Sequence, residues 1–199
     1  RGIREIVLIG QTVNSYGKDD SADITFPDLL RRCSEVEGVG RIRFATSYPP
    51  DITEELARAM AECEPVCEHL HLPVQSGSSK VLEAMNRGYS REDYLEKVHL
   101  LRTAMPTLAL STDMIVGFPG ETEEDFNLTL DLVQTVGYDQ IYGFCYSKRP
   151  GTLAPKMEGH IPDEVKKKRL ARLFETAKRV SMENNSKWIG REVEVLIEG

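Results

Sequence analysis

Five polar stretches in this sequence could carry chemistry, and each follows an apolar or β-branched run. The central one is His71-Leu72-Pro73-Val74-Gln75-Ser76-Gly77-Ser78. A strand that ends in Gln, Ser and Gly and then enters a helix presents side chains as barrel enzymes present a site. The backbone N–H groups at such a helix start also suit an anionic group. An ordinary βα turn looks the same, so this stretch gains weight only because four other strands end alike. Val116-Gly117-Phe118-Pro119-Gly120-Glu121 brackets a proline with two glycines just past an apolar strand. Glycine lets a backbone come close to a flat ligand such as a purine, because no Cβ intervenes. Asp113 lies inside that strand, and a buried carboxylate needs a partner, which a ligand could be. Tyr146-Ser147-Lys148-Arg149-Pro150-Gly151 sets an aromatic ring and two cations in another loop. That combination suits base stacking and phosphate contact.

The remaining reactive side chains read as structural. His69 and His71 alternate on one strand and therefore point the same way. A metal site built on them would need a third ligand, and no spacing supplies one. Among the four cysteines, Cys63 and Cys67 are four apart. A cluster loop of the C-x3-C-x2-C type would need a third cysteine at position 70, which is Leu70. Cys145 reads as a small buried residue in an apolar strand. Glu54, Glu55, Glu121, Glu123 and Glu124 read as first-turn helix acids that fit the helix dipole without a catalytic role. There is no dinucleotide fingerprint, P-loop, G-x-S-x-G or H-E-x-x-H motif.

The elements that must position these loops alternate. Strands are expected over Glu5–Ile9, Arg41–Ala45, Cys67–Leu72, Leu108–Val116 and Asp139–Tyr146, from β-branched and apolar runs. Helices are expected over Pro27–Glu37, Thr53–Glu62, Ser79–Asn86, Ser90–Ala104, Glu123–Val136 and Pro162–Ser186. Thr53, Ser90 and Thr122 are expected N-caps, with Asp93 completing a capping box at Ser90. Five strand–helix alternations predict a parallel α/β architecture. A doubly wound sheet would use one switch point. Five polar loops at the strand ends favour barrel-like curvature instead, with every loop facing one mouth. A last strand is expected over Arg191–Ile197.

The chain has 199 residues, 40% hydrophobic and 29% charged, a composition typical of globular domains. No apolar run reaches the roughly 18 residues of a membrane span, and the sparse cysteines read as intracellular. Residues 1–146 hold 13 Lys/Arg against 24 Asp/Glu, whereas residues 147–191 hold 12 against 5. A basic C-terminal third on an acidic body permits contact with a polyanion such as RNA, although a solvated helix face gives the same count. The chain starts at Arg1 and ends just past the strand-like Glu192–Ile197, so it reads as a piece of a longer protein.

Together the motifs resemble one family. Gly10-Gln11-Thr12-Val13-Asn14-Ser15-Tyr16-Gly17, Thr46-Ser47-Tyr48-Pro49, His71–Ser78, Met85-Asn86-Arg87, Asp113–Thr122 and Tyr146–Thr152 resemble, in order, segments of the radical S-adenosylmethionine methylthiotransferases of the MiaB type. The resemblance implies a partial (β/α)6 radical-SAM barrel that lacks its first βα unit. It divides the chain into residues 1–186, strands two to six with the C-terminal helix, and residues 187–199, the beginning of an all-β TRAM domain. It implies tRNA as substrate, with sulfur and then a methyl group added at C2 of the isopentenyl-adenosine 3′ of the anticodon. S-adenosylmethionine is the implied cofactor, with two 4Fe–4S clusters in the full-length protein and none ligated by this piece, which would be inactive alone.

Carried over residue by residue, the resemblance gives Gln11, Asn14, Ser47, Gln75, Ser76, Arg87, Asp113, Val116 and Gly117 to S-adenosylmethionine. It gives Tyr146, Ser147 and Arg149 to the tRNA anticodon stem-loop, and assigns no catalytic residue. An electron donor for cluster reduction, no membrane and a cytoplasmic location follow from the same likeness. Thr12 stands where the family often has Asn, and Leu153 where Pro is common. Two other readings stand beside it: the sister methylthiotransferase acting on an aspartate of a ribosomal protein, and a cluster-free α/β binding module. Without a first unit, strand Glu5–Ile9 would have an open edge, so the piece is expected to self-associate.

Overall fold

A computed structural model describes residues 2–18, 23–45, 47–193 and 195. Within the described residues five strands alternate with α-helices, two of them between β3 and β4: β1 (Glu5–Leu8), α1 (Phe26–Ser34), β2 (Arg41–Phe44), α2 (Glu54–Glu62), β3 (His69–His71), α3 (Ser79–Ala84), α4 (Arg91–Ala104), β4 (Ala109–Val116), α5 (Glu123–Val136), β5 (Gln140–Cys145) and α6 (Asp163–Ser186). All strand pairs are parallel, and their spatial order is their sequence order. β1 pairs with β2, and β3, β4 and β5 form a second ladder. One parallel bridge, Ile42 to Val66, stitches the two ladders. This is the expected parallel α/β arrangement, a partial barrel wall with helices on its outside.

Local chemistry sets the helix starts. The Ser90 and Thr122 hydroxyls accept from Asp93 N and Asp125 N, and those aspartates accept the cap N–H groups in return. Thr53 accepts from Leu56 N as expected. α1 starts one residue earlier than the sequence predicts, because Thr25 caps it by donating its N–H to Asp28 at 2.9 Å. β3 is shorter than expected. Cys67 N still bonds Ile42 O and Leu72 N still bonds Ser111 O, but Pro73 has no N–H to extend the ladder. The expected strand over Arg191–Ile197 falls partly outside the described residues, and Arg191, Glu192, Val193 and Val195 are not in strand conformation.

The core lies between the outer face of the sheet and the helices. Ile42, Leu70, Leu72, Val74, Leu110, Met114 and Val116 meet Leu56, Leu82, Leu101, Phe126, Leu132 and Leu173 there, all buried. Two fully buried tyrosines brace it. Tyr138 donates to the Tyr94 hydroxyl at 2.9 Å, and Tyr94 donates to Leu72 O at 3.0 Å. Strand alternation leaves the other, concave face uncovered, so Tyr142 and Phe144 stay 43% and 52% exposed. Among the described residues no helix is long and apolar enough to cross a membrane.

Candidate functional site

The loops that follow the strands gather at one end of the sheet, as parallel order requires. Those after β1 and β2 are clasped together. Asn14 donates its amide to Tyr48 O at 3.0 Å and accepts from Tyr48 N at 2.9 Å. Ser15 and Lys18 both bond Asp51. The buried Asn14 amide therefore does a structural job, while Gln11 beside it is exposed. Ser47 is 5% exposed, and its hydroxyl has no hydrogen-bond partner among the described residues. Its neighbour Thr46 lies outside the described residues.

The Gln75–Ser78 turn is built by its neighbours. Gln75 has a φ of 74° and pairs with β4 on both sides, Gln75 N to Asp113 O and Ile115 N to Gln75 O, each at 2.9 Å. Ser76 is buried and accepts from Ser78 N at 3.2 Å. Gly77 N donates to Thr129 Oγ1 at 2.9 Å, and a Cβ there would stand 2.4 Å from Leu128 O. Ser78 donates to Asp125 at 2.8 Å, and Lys80 reaches the same carboxylate at 3.0 Å. Burial raises the Asp125 pKa, but the Thr122 N–H, Ser78 and Lys80 outweigh it and hold the group at about 2. Tyr89, whose pKa burial pushes up to about 12, donates to Val74 O at 3.1 Å. Arg87 stands exposed on the turn after α3, where its charge acts on Tyr89.

The concave face below these loops is polar in its middle. His71 Nδ1 lies 3.0 Å from Ser111 Oγ, and His69 Nε2 lies 3.3 Å from the same hydroxyl, so the two imidazoles do share a face. Asp113 is not the buried carboxylate the sequence suggests. Its side chain is 33% exposed and faces His71 Nε2 at 3.6 Å. Register opposite Tyr142 turns it onto the open face of the sheet. Burial, with Arg43 and His71 nearby, lowers the His69 pKa.

The loop after β4 departs furthest from expectation. Gly117 has a φ of 75°, and the space its Cβ would fill is taken by Lys166 of α6, at 2.4 Å from Cγ. Glycine here admits a helix side chain, so a flat ligand would meet the peptide from its other side. Val116 is fully buried and offers its carbonyl to Tyr146 N at 2.8 Å. Glu121 is not a solvated first-turn acid. It is 3% exposed, accepts from Gly117 N at 2.7 Å, and pairs with the 6% exposed Arg169 at 2.6 Å. Burial raises the Glu121 pKa against the pull of the Gly117 N–H and Arg169. Tyr146 is packed rather than free: Phe118 meets its ring edge-on at 5.2 Å and His160 stacks at 6.3 Å. Ser147 and Arg149 are exposed.

Sequence reasoning missed Asp125, Thr129, Lys166 and Arg169. The Thr122-x-x-Asp125 spacing of a capping box is the one local signal for Asp125, and nothing separates Arg169 from its neighbours in Lys166-Lys167-Lys168-Arg169.

A profile of the radical SAM superfamily matches residues 1–133. The chain belongs to the radical SAM superfamily. It is 53% identical over all 199 residues to a tRNA-2-methylthio-N(6)-dimethylallyladenosine synthase of Acetivibrio thermocellus, and 54% to one of Thermoanaerobacter sp.. It spans 42% of the length of both relatives. Among solved structures, coproporphyrinogen III oxidase of Escherichia coli, a radical SAM enzyme, aligns at a TM-score of 0.61 over 77% of this chain and 36% of that one. At 20% identity that likeness concerns the fold.

For S-adenosylmethionine, this radical SAM chain offers a fitting setting: converging loops, a buried Ser47 hydroxyl without a partner among the described residues, and an open polar face. Among the described residues no group of three His, Cys, Asp or Glu could hold a metal ion.

Proposed function

We propose that this chain is the barrel core of a cytoplasmic tRNA methylthiotransferase that binds S-adenosylmethionine at the strand ends. The observation that carries the reading is the identity above one half, sustained over the whole chain, with relatives of that name. In this reading tRNA is the substrate, and its isopentenylated adenosine beside the anticodon receives sulfur and a methyl group at C2. S-adenosylmethionine supplies the radical and the methyl group, together with two 4Fe–4S clusters held elsewhere in the full-length protein and an electron donor to reduce them.

This chain's own residues bind and orient. Gln11, Ser47, Gln75, Ser76, Arg87 and Asp113 surround S-adenosylmethionine, with the backbones of Val116 and Gly117 against its adenine. Asn14 acts there indirectly, by fixing the Ser47–Tyr48 turn. Ser147 and Arg149 touch the anticodon stem-loop, Arg149 through phosphate, and Tyr146 supports them from beneath. Residues 1–186 form this core, and residues 187–199 open a TRAM domain.

The test is reconstitution. Full-length protein with its clusters rebuilt anaerobically is mixed with isopentenylated tRNA, reductant and S-adenosylmethionine. The expected product is the methylthio-isopentenyl nucleoside by mass spectrometry. An unmodified tRNA beside a methylthiolated ribosomal-protein aspartate reassigns the substrate.

A further inference from the structure

We propose that Arg169 is a positioning residue for the S-adenosylmethionine site, acting through Glu121 on the peptide of Gly117. The inference rests on the reading that the Gly117 backbone faces that cofactor, and goes beyond it by assigning a part to α6.

Three contacts form one chain of support. Arg169 Nη1 donates to Glu121 Oε2 at 2.6 Å and to Glu121 O at 3.1 Å. The same Oε2 accepts from Gly117 N at 2.7 Å. One helix side chain therefore orients a carboxylate, and the carboxylate turns the Gly117 N–H outward toward α6. Lys166, one turn earlier on α6, fills the space beside Gly117. The helix closes on this loop from one side, so a ligand would meet the peptide from the other.

The energetics favour a positional role over a purely stabilising one. Both partners are almost wholly buried, and burying an ion pair costs desolvation that the attraction barely returns. The pair is also imperfectly satisfied, since Glu121 Oε1 and Arg169 Nε have no hydrogen-bond partner among the described residues. An apolar pair of similar volume would hold α6 as well. It could not hold a peptide N–H in one direction. Arg172, one turn on, makes a comparison possible. It bonds Glu123 and Asn127 of α5 at an exposed edge, where Arg169 reaches Glu123 only at 3.5 Å, and among the described residues it has no bond to loop backbone.

The experiment uses full-length protein with rebuilt clusters, and equilibrium dialysis with labelled S-adenosylmethionine. Arg169→Met is expected to raise the dissociation constant by about tenfold, the loss of one charge-assisted hydrogen bond's worth of orientation. Arg169→Lys, which keeps one donor, is expected to recover part of that. Arg172→Met is expected to lower stability without changing the affinity. In turnover, KM for S-adenosylmethionine rises in Arg169→Met while KM for tRNA stays unchanged, a split that general loosening would not produce. Wild-type affinity in Arg169→Met overturns the proposal. If that variant does not fold, Arg169→Lys and Glu121→Gln carry the test, and wild-type affinity in both overturns it. A tRNA left unmodified by wild-type enzyme that binds S-adenosylmethionine normally would count against the substrate reading alone.

Discussion

Ser78 and Asp125 lie 47 residues apart and are joined by a 2.8 Å hydrogen bond. Ser78 N-caps α3, and Asp125 closes the capping box of α5, so one carboxylate serves two helix starts. It also ties the turn after β3 to the turn after β4.

That arrangement has a pH signature. The Asp125 pKa falls from 3.8 to about 2 on folding. A depressed carboxylate contributes stability that is full above its unfolded value and is lost as pH falls through its folded one. The difference in urea stability between wild type and Asp125→Asn should be roughly 2 kcal/mol at pH 6 and should shrink between pH 4 and pH 2. A gap that stays constant to pH 2 would contradict the assignment.

Glycine at position 77 is required by packing. A Cβ there would meet Leu128 O at 2.4 Å and Thr129 Cα at 2.5 Å, both backbone of α5. Gly77→Ala should lower stability by about 1–3 kcal/mol through overpacking. Gly38→Ala, where a Cβ meets nothing within 4 Å, should cost only the strain of its φ of 88°, about 1–2 kcal/mol. Thermal unfolding of the two variants compares a steric cost with a conformational one. A larger loss in Gly38→Ala would refute the ranking.

The Asn14 amide both donates to and accepts from the Tyr48 backbone. Asn14→Asp keeps the acceptor but turns a second oxygen toward Tyr48 O. It should therefore destabilise at least as much as Asn14→Ala, by about 1–3 kcal/mol at pH 7. Denaturant unfolding checks this, and a near-neutral Asn14→Asp would mean that the amide is not used as described.

The alternation of elements was legible because the longer helices α4 and α5 start on a side-chain cap and the longest strand, β4, is largely apolar. Ser90 and Thr122 announce α4 and α5 to the residue. The site was legible only as loops. Asp113 reads as buried because its strand is apolar, yet an open barrel wall exposes alternate residues of that strand. Gly117 reads as a ligand-facing glycine, yet its vacancy is filled from α6, which follows some 50 residues later in the chain. Tyr146 reads as a free ring for the same reason. Contacts that depend on which distant helix covers a loop leave no local pattern to read.

Among the described residues β1 pairs only with β2, and Val7 within it and Ile3 and Ile9 flanking it are 53%, 62% and 78% exposed. Unpaired strand edges recruit other strands. This stretch of chain, purified alone, should self-associate in a concentration-dependent way, with light scattering as the check. A monodisperse monomer at high concentration would show that the edge is protected.

The central claim is tested most directly by nucleoside mass spectrometry on tRNA from cells with and without the intact parent gene. Deletion is expected to abolish the methylthio-isopentenyl adenosine and to let its isopentenyl precursor accumulate, and return of the gene is expected to reverse both changes. An unchanged tRNA nucleoside profile after deletion would contradict it.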